Sequence, residues 1–286
     1  FMVQIDSCEA FKVSLNCPAD SVVTLATALQ EGRHSVRIAY AMEGLETHPE
    51  FWGFVLDPEC EILKPTPLPE RKIEFIGNSI TCAYGVESTK KDAPFEYATE
   101  NHFYSYATLV SDSLNAIHTS ISRSGIGVYR NYNGPKTGDK DCMPQEFTNT
   151  LFADSTHKWD FSRWQPQVVC INLGTNDLST NNYDARLYEN AYRNFIHTVR
   201  NVYPKAKIVL LSGPMLGEKE NNIEKSILDK LQKEFRKKGD KQIYRFDFTP
   251  QDGSLGYGAS WHPSYLQQQK MASELTPFIR QITGWE

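Results

Sequence analysis

Two rhythms of apolar and polar residues run along this chain of 286 residues. Up to about residue 63, short β-type runs at 1–4, 11–15, 21–25, 35–40 and 53–56 alternate with turn signals, among them Glu31-Gly32-Arg33 and Met42-Glu43-Gly44. No helical period interrupts them. Strands this short and this closely spaced predict a small antiparallel β-sandwich, jelly-roll-like. The strands are few for a sandwich, so part of it is expected to lie upstream of Phe1. Pro65-Thr66-Pro67-Leu68-Pro69 then reads as a stiff linker, because closely spaced prolines favour extended geometry. The expected domains are 1–68 and 69–286.

Beyond the prolines the rhythm changes to strand followed by helix. Apolar runs at 73–76, 116–121, 168–173, 207–211 and 242–246 predict five strands. Val168-Val169-Cys170-Ile171 has no polar alternation, which suits a strand buried on both faces of a parallel sheet. Leu187, Ala191, Phe195, Val199 and Val202 recur at helical spacing, and Pro204 ends that helix. Ile223, Ile227, Leu231 and Phe235 repeat the period, with Gly239 as the expected C-terminal cap. A last helix is expected through Leu266, Met271, Leu275 and Phe278, disturbed near Pro277. Five such units with short connections predict a three-layer, doubly wound α/β domain.

Composition narrows the classes of function. Hydrophobic residues make up 40% and charged residues 23%, the balance of a water-soluble globular protein. A net charge of −5, without a basic stripe, argues against nucleic acid as the main partner. No apolar run approaches the roughly 20 residues that cross a bilayer, so no membrane insertion is expected. The chain opens in what already reads as a strand, so any signal peptide would precede it. Six scattered cysteines (Cys8, Cys17, Cys60, Cys82, Cys142, Cys170) form no Cys-x-x-Cys pair, which excludes the common zinc and thioredoxin spacings. Buried free thiols are expected, with a single bridge left open.

Candidate chemistry gathers at the strand ends, where open α/β sheets form their sites. Strand one runs into Gly77-Asn78-Ser79-Ile80-Thr81, and strand two ends in Ser122-Arg123-Ser124-Gly125-Ile126-Gly127. Strand three ends in Gly174-Thr175-Asn176-Asp177, and Ser260-Trp261-His262-Pro263 opens the final helix. A hydroxyl, a backbone N–H beside glycine, a carboxamide and an imidazole together are the inventory of acyl transfer. Each block alone has a plainer explanation. Gly-x-Ser is an ordinary turn, Asn176 or Asp177 could cap a helix, and His262 could simply begin one. His34, His48, His102, His118, His157 and His197 have no comparable setting and read as structural or surface residues. The joint occurrence of the four blocks at successive strand ends is what the plain explanations leave unaccounted for.

Taken in order, Ser79, Gly125, Asn176 and His262 with their flanking residues resemble the four blocks of the SGNH hydrolases, esterases with a flavodoxin-like α/β/α fold. The stretches Ser79-Ile80-Thr81-Cys82-Ala83-Tyr84-Gly85, Ser124–Tyr132 and Trp261-His262-Pro263, behind a β-sandwich, resemble carbohydrate esterase family 2. Members of that family deacetylate xylan, glucomannan and related sugars, often at the 6-hydroxyl. The resemblance implies Ser79 as nucleophile, His262 as general base, and Ser79 N–H, Gly125 N–H and the Asn176 side chain as the oxyanion hole. Trp261 offers either a face for a sugar ring or a core indole. Tyr84 and Tyr129 are weaker candidates for the same wall. Two positions depart from the pattern. Asn78 stands where Asp is common, and Ala259 stands where the family's acid precedes the histidine. A Ser–His dyad with a backbone carbonyl on the imidazole is expected, with Asp252 or Asp247 as the alternative third member.

The expectation is a secreted, periplasmic or cell-surface carbohydrate acetyl esterase, monomeric, without metal or cofactor. No His-Glu-x-x-His or other metal motif is present. The secreted setting follows only from the polymeric nature of the implied substrate. Two rivals stand beside it: a carbohydrate-binding protein with a degenerate hydrolase site, and an SGNH lipase acting on non-sugar esters. The polar and aromatic run Tyr129-Arg130-Asn131-Tyr132-Asn133 favours sugar over a long acyl chain.

Overall fold

The computed structural model describes residues 1–15, 21–45 and 48–286. Its larger part is a five-stranded parallel sheet: β4 (Arg71–Gly77), β5 (Ala116–Ser122), β6 (Val168–Asn172), β7 (Lys207–Ser212) and β8 (Ile243–Asp247). The spatial order is β5-β4-β6-β7-β8, the flavodoxin-like order in which the sheet reverses direction beside β4. Side chains on successive strand residues face opposite layers. Ile73, Phe75, Val168, Cys170, Val209 and Leu211 enter one core, with helices α2 (Tyr106–Ser113) and α7 (Tyr265–Thr283). Ile76, Val169, Ile171, Ile208 and Leu210 enter the other, with α5 (Ala185–Val202) and α6 (Glu218–Lys237). Burial on both faces is why these strands read as continuous apolar runs.

Two features of this domain differ from expectation. The connections are not uniformly short: residues 123–167 between β5 and β6 hold the four-residue helix α3 (Met143–Glu146), a single 3-10 turn (Phe161–Arg163), an isolated Asn149–Lys158 bridge and loops. Apolar periodicity cannot reveal such a stretch, because it is held by hydrogen bonds and isolated aromatic contacts. Helix α7 runs through the exposed Pro277 to Thr283 and stops at Gly284, which is left-handed (φ 75°). Leu275 and Ile279, either side of the proline, are wholly buried, so packing offsets the missing N–H bond. As expected, α6 ends at the positive-φ Gly239 (φ 102°), with the Asp240 N–H returning to the Phe235 carbonyl at 3.1 Å.

The N-terminal residues form one antiparallel sheet, β2-β1-β3, from β1 (Met2–Ile5), β2 (Phe11–Lys12) and β3 (Val36–Ala39). The runs 21–25 and 53–56, expected as strands, form no strand among the described residues, and the second of them is exposed throughout. Alternation in sequence marks a face but does not supply a partner edge. Cys17 lies outside the described residues. The other five cysteines are free thiols; Cys82, Cys142 and Cys170 are buried as expected, whereas Cys8 and Cys60 are exposed.

The sheet is tied to the α/β domain near the end of β4. Lys12 pairs with Glu87 and donates to the Ala98 carbonyl at 2.9 Å. The His102 N–H reaches the Ala41 carbonyl at 2.8 Å, and the Asn101 amide meets Met2 Sδ at 3.3 Å. No described helix is long and apolar enough to cross a membrane.

Candidate active site

The carboxyl ends of β4 and β6 and the segment before α7 converge on one point. After β4 the backbone turns at Asn78, whose side-chain oxygen accepts from Ile80 N–H at 3.0 Å and caps the short helix α1 (Ser79–Cys82). Either Asn or Asp supplies that oxygen, so the departure at position 78 leaves the cap intact. Ser79 is the first residue of α1. Its Oγ lies 2.8 Å from His262 Nε2, although 183 residues separate them in sequence.

The other ring nitrogen settles the tautomer. His262 Nδ1 is 3.1 Å from the Ala259 carbonyl and 3.1 Å from the Ser260 carbonyl. Carbonyl oxygens only accept, so Nδ1 carries the proton and Nε2 accepts from the Ser79 hydroxyl. The turn that aims these carbonyls is strained: Ser260 (φ 48°) and Trp261 (φ 62°) are both left-handed. Such residues persist where neighbours over-determine them. Here Ala259 N–H bonds Gly85 O at 3.0 Å, Ser260 N–H bonds Ala93 O at 3.2 Å, and Trp261 N–H bonds Lys91 O at 3.0 Å. Burial holds the imidazole down to about 4, against the two carbonyls that pull it up. At neutral pH His262 is therefore uncharged.

Among the described residues, no carboxylate is hydrogen-bonded to this imidazole. The exposed Asp252 accepts from Ser254 N–H at 2.9 Å and Ser254 Oγ at 2.6 Å. Asp247 accepts from Ser212 Oγ at 2.7 Å and Arg245 at 2.6 Å. Neither alternative third member touches His262.

The three groups expected as oxyanion donors lie on α1, on the loop after β5 and on the turn after β6. Asn176, in the short helix α4 (Thr175–Leu178), spends one amide hydrogen on the Ile126 carbonyl at 2.8 Å. That bond ties it to the residue after Gly125 and leaves its second amide hydrogen available. Gly125 is left-handed (φ 77°), with no atom within 4 Å of where a Cβ would stand, so the space beside its backbone is open. Asp177, wholly buried, holds this loop in shape rather than capping a helix. Its carboxylate accepts from the N–H groups of Val128, Tyr129 and Arg130 at 2.8–3.2 Å. The buried Arg130 closes the loop onto Thr180 and Gly134. The adjacency of Asp177 to Asn176 was the available signal; its partners are backbone groups and leave no residue pattern.

The expected aromatic wall divides. Trp261 is 47% exposed, with Lys91 Nζ 4.2 Å from its ring centroid and Tyr257 edge-on at 5.3 Å. Tyr84 has both faces covered, one by His262 at 4.1 Å and the other by Phe95 at 4.3 Å. It backs the imidazole and has no face left for a sugar. Tyr129 is buried, and its hydroxyl accepts from Asp184 N–H at 2.8 Å, so it belongs to the core and not to the wall. In the same run Tyr132 is the exposed ring. A pocket of about 540 Å³ is lined by Thr89, Lys90, Lys91, Asp92, Ala93, Gly256 and Tyr257; it includes neither Ser79 nor His262, and it adjoins Trp261 through Lys91 and Tyr257. A larger one, of about 950 Å³, follows the β5 edge and includes neither Ser79 nor His262.

Residues 75–270 match the GDSL-like lipase/acylhydrolase family. The chain belongs to that family. Residues 1–67 match the carbohydrate esterase 2 N-terminal family, so this acylhydrolase is of the carbohydrate esterase 2 kind. It is 41% identical over 265 residues to the cellulase/esterase CelE of Acetivibrio thermocellus, covering 93% of this chain but 32% of that protein. The chain thus spans about a third of the length of that relative. An acetylxylan esterase / glucomannan deacetylase of Cellvibrio japonicus is 32% identical over 260 residues, covering 89% of this chain and 68% of that one. Among solved structures, a family two carbohydrate esterase from Clostridium thermocellum in complex with cellohexaose superposes with a TM-score of 0.87. It is 37% identical and covers 100% of this chain and 86% of that one.

In this acylhydrolase the α1 side and the His262 side meet at Gly85. A Cβ there would stand 2.4 Å from Ala259 Cβ and 2.9 Å from Ala259 N. Gly85→Ala is expected to push the Ala259–His262 turn away from Ser79. Turnover should fall by about 10²-fold, the usual cost of a ~1 Å misplacement. Ester hydrolysis by the purified variant checks this; wild-type turnover would show that the turn absorbs the methyl group.

Proposed function

We propose that this chain is a serine esterase that removes O-acetyl groups from plant-type polysaccharides or their oligosaccharides, xylan and glucomannan among them. The single observation that carries the reading is the 2.8 Å contact between Ser79 Oγ and an imidazole whose other nitrogen faces two carbonyls. The acetylxylan esterase and glucomannan deacetylase activities named for the Cellvibrio relatives supply the substrate class. Trp261 and the pocket beside it supply the surface for the sugar. Polymeric acetylated glycans lie outside cells, so the same reading places the protein there. The division near Leu68, with the N-terminal sheet as an accessory unit, is part of it, as is action by a monomer.

In this mechanism Ser79 Oγ attacks the acetyl carbonyl and passes its proton to His262 Nε2. The tetrahedral oxyanion is held by the backbone N–H groups of Ser79 and Gly125 and by the Asn176 amide. Collapse breaks the bond to the sugar oxygen, which takes the proton back from His262. Water, activated by the same imidazole, then releases acetate from the acetyl-serine. The Ala259 and Ser260 carbonyls hold the imidazole in its working tautomer and offset part of its charge when it is protonated. They are dipoles, so they stabilise that cation less than a triad carboxylate would.

Acetate release from 4-nitrophenyl acetate and from acetylated xylan or glucomannan tests the reading. Ser79→Ala is expected to abolish release from all three while the fold persists. Folded wild-type protein that releases nothing would instead favour a carbohydrate-binding role.

Asp252→Ala, which removes a side chain that only closes its own turn, is expected to keep turnover near wild type. A collapse of turnover in the folded variant would restore a triad. The base must be neutral to act, and burial lowers its value from 6.5 to about 4. The acid limb of the kcat/KM profile should therefore fall near pH 4, and activity should persist at pH 5–6. By the same sign, stability contributed by the uncharged imidazole is present above pH 6.5 and is lost progressively as the pH falls toward 4. An acid limb centred between pH 6 and 7 would contradict the buried base.

A further inference from the structure

We infer that Glu43, which belongs to the N-terminal segment, is a positioning residue for the oxyanion loop of the α/β domain. Its carboxylate oxygen Oε2 accepts from the backbone N–H of Ser124, the residue before Gly125, in a short hydrogen bond. The same oxygen is 3.5 Å from the thiol of Cys82, the last residue of the helix that Ser79 begins. One carboxylate thus touches both the loop carrying Gly125 and the helix carrying Ser79. It comes from outside the domain that supplies them.

The surroundings fix where this carboxylate stands. Glu43's own N–H donates to Glu100 Oε1 at 2.8 Å, and Glu100 is 1% exposed. Burial and the charge of Glu43 push the Glu100 carboxyl up to about 8, so at neutral pH it is mostly protonated and the two do not repel as a pair of anions. Two residues before Glu43, the Ala41 carbonyl is bound by His102 N–H at 2.8 Å. Glu43, Cys82 and Glu100 offer ligand atoms within 4.8 Å of one another. The Glu43 oxygen facing this group is already engaged by the Ser124 N–H and the Cys82 thiol, which argues for a hydrogen-bonded post over an ion site.

The physical role follows from the peptide geometry. Holding Ser124 N–H fixes the Arg123–Ser124 peptide plane, one peptide before the one that carries the Gly125 N–H, the proposed oxyanion donor, and so limits where Ser124 can place it. On the far side, the Asn176 amide holds the Ile126 carbonyl at 2.8 Å. Gly125 therefore lies between two anchored neighbours, one of them anchored by the N-terminal segment. A charge-assisted N–H bond is roughly twice as strong as a neutral one, and it adds to the bonds that Tyr132 N–H makes to the Gly125 carbonyl at 2.8 Å and Ile126 N–H to the Arg123 carbonyl at 3.3 Å. The N-terminal segment then contributes to the chemistry without touching substrate.

The inference rests on the esterase reading, so its test compares variants with an active wild type. Glu43→Asp keeps the charge and withdraws the acceptor by one methylene. Its kcat on 4-nitrophenyl acetate should fall by about 10–10²-fold, with KM changed less than about threefold. Inhibition by phenylboronic acid, whose tetrahedral adduct on Ser79 places an oxygen in the oxyanion hole, should weaken by a similar factor. Titration with a fluorophosphonate should still count one reactive serine per chain, because the fraction folded is unchanged. Glu43→Gln keeps an acceptor for Ser124 and should recover kcat to within about threefold of wild type.

Loss of kcat matched by loss of titratable sites, with boronate affinity unchanged, would mean a merely structural role and overturn the inference. Undiminished turnover in Glu43→Asp would do the same. Should Glu43→Asp not fold, a loss of more than about tenfold in folded Glu43→Gln would equally overturn it. A wild type that hydrolyses no ester fails the esterase reading itself, which distinguishes the two failures.

Discussion

Everything proposed for this site depends on one imidazole being held by its own backbone. His262 has two carbonyls on Nδ1 where the familiar arrangement has a carboxylate, and those carbonyls come from the turn immediately before it. A carbonyl can orient an imidazole as well as a carboxylate can, but it must be aimed by the chain, and aiming it here requires two successive left-handed residues. The cost, of order 1–3 kcal/mol for each strained residue, is met by tethers from Gly85, Ala93 and Lys91. The strain and the tethers are one device.

The parallel sheet makes the rest possible. Its order brings the ends of β5, β4 and β6 side by side, so that groups from three distant parts of the chain face one space. Around that space the support is largely hydrogen bonding to backbone. Asn78 caps α1, Asp177 gathers three N–H groups after Gly125, and Asn176 holds Ile126. The stack of Phe95, Tyr84 and His262 adds a wall that keeps the imidazole dry and therefore neutral. The segment after the N-terminal sheet adds Glu43, which touches both α1 and the loop before Gly125 and gives the N-terminal unit a physical link to the proposed chemistry.

Much of this was legible beforehand. The five strands, the helices at 185–202 and 218–237, and the placing of Ser79, Gly125, Asn176 and His262 at the edge of one domain followed from apolar period and from turn residues at strand ends. The want of a carboxylate just before His262 pointed to a backbone partner for Nδ1, and the structure has one. The resemblance to the carbohydrate esterases rested on the same blocks. Other readings failed for a shared reason. Tyr84 and Tyr129 lie in the right stretches but face inward, one against His262 and the other toward Asp184. The runs at 21–25 and 53–56 have strand composition but form no strand among the described residues.

What the sequence determined by itself is therefore what depends on local spacing: which segments are strands or helices, where the domains change character, and which chemical groups stand at strand ends. What only the tertiary structure decided is which way those groups face and what they meet. The Ser79–His262 contact spans 183 residues. The partners of Asp177 and Glu43 are backbone N–H groups. A backbone N–H is carried by nearly every residue, so no residue type in the sequence marks the one that a buried carboxylate will find. Only the packing that brings the two together specifies it.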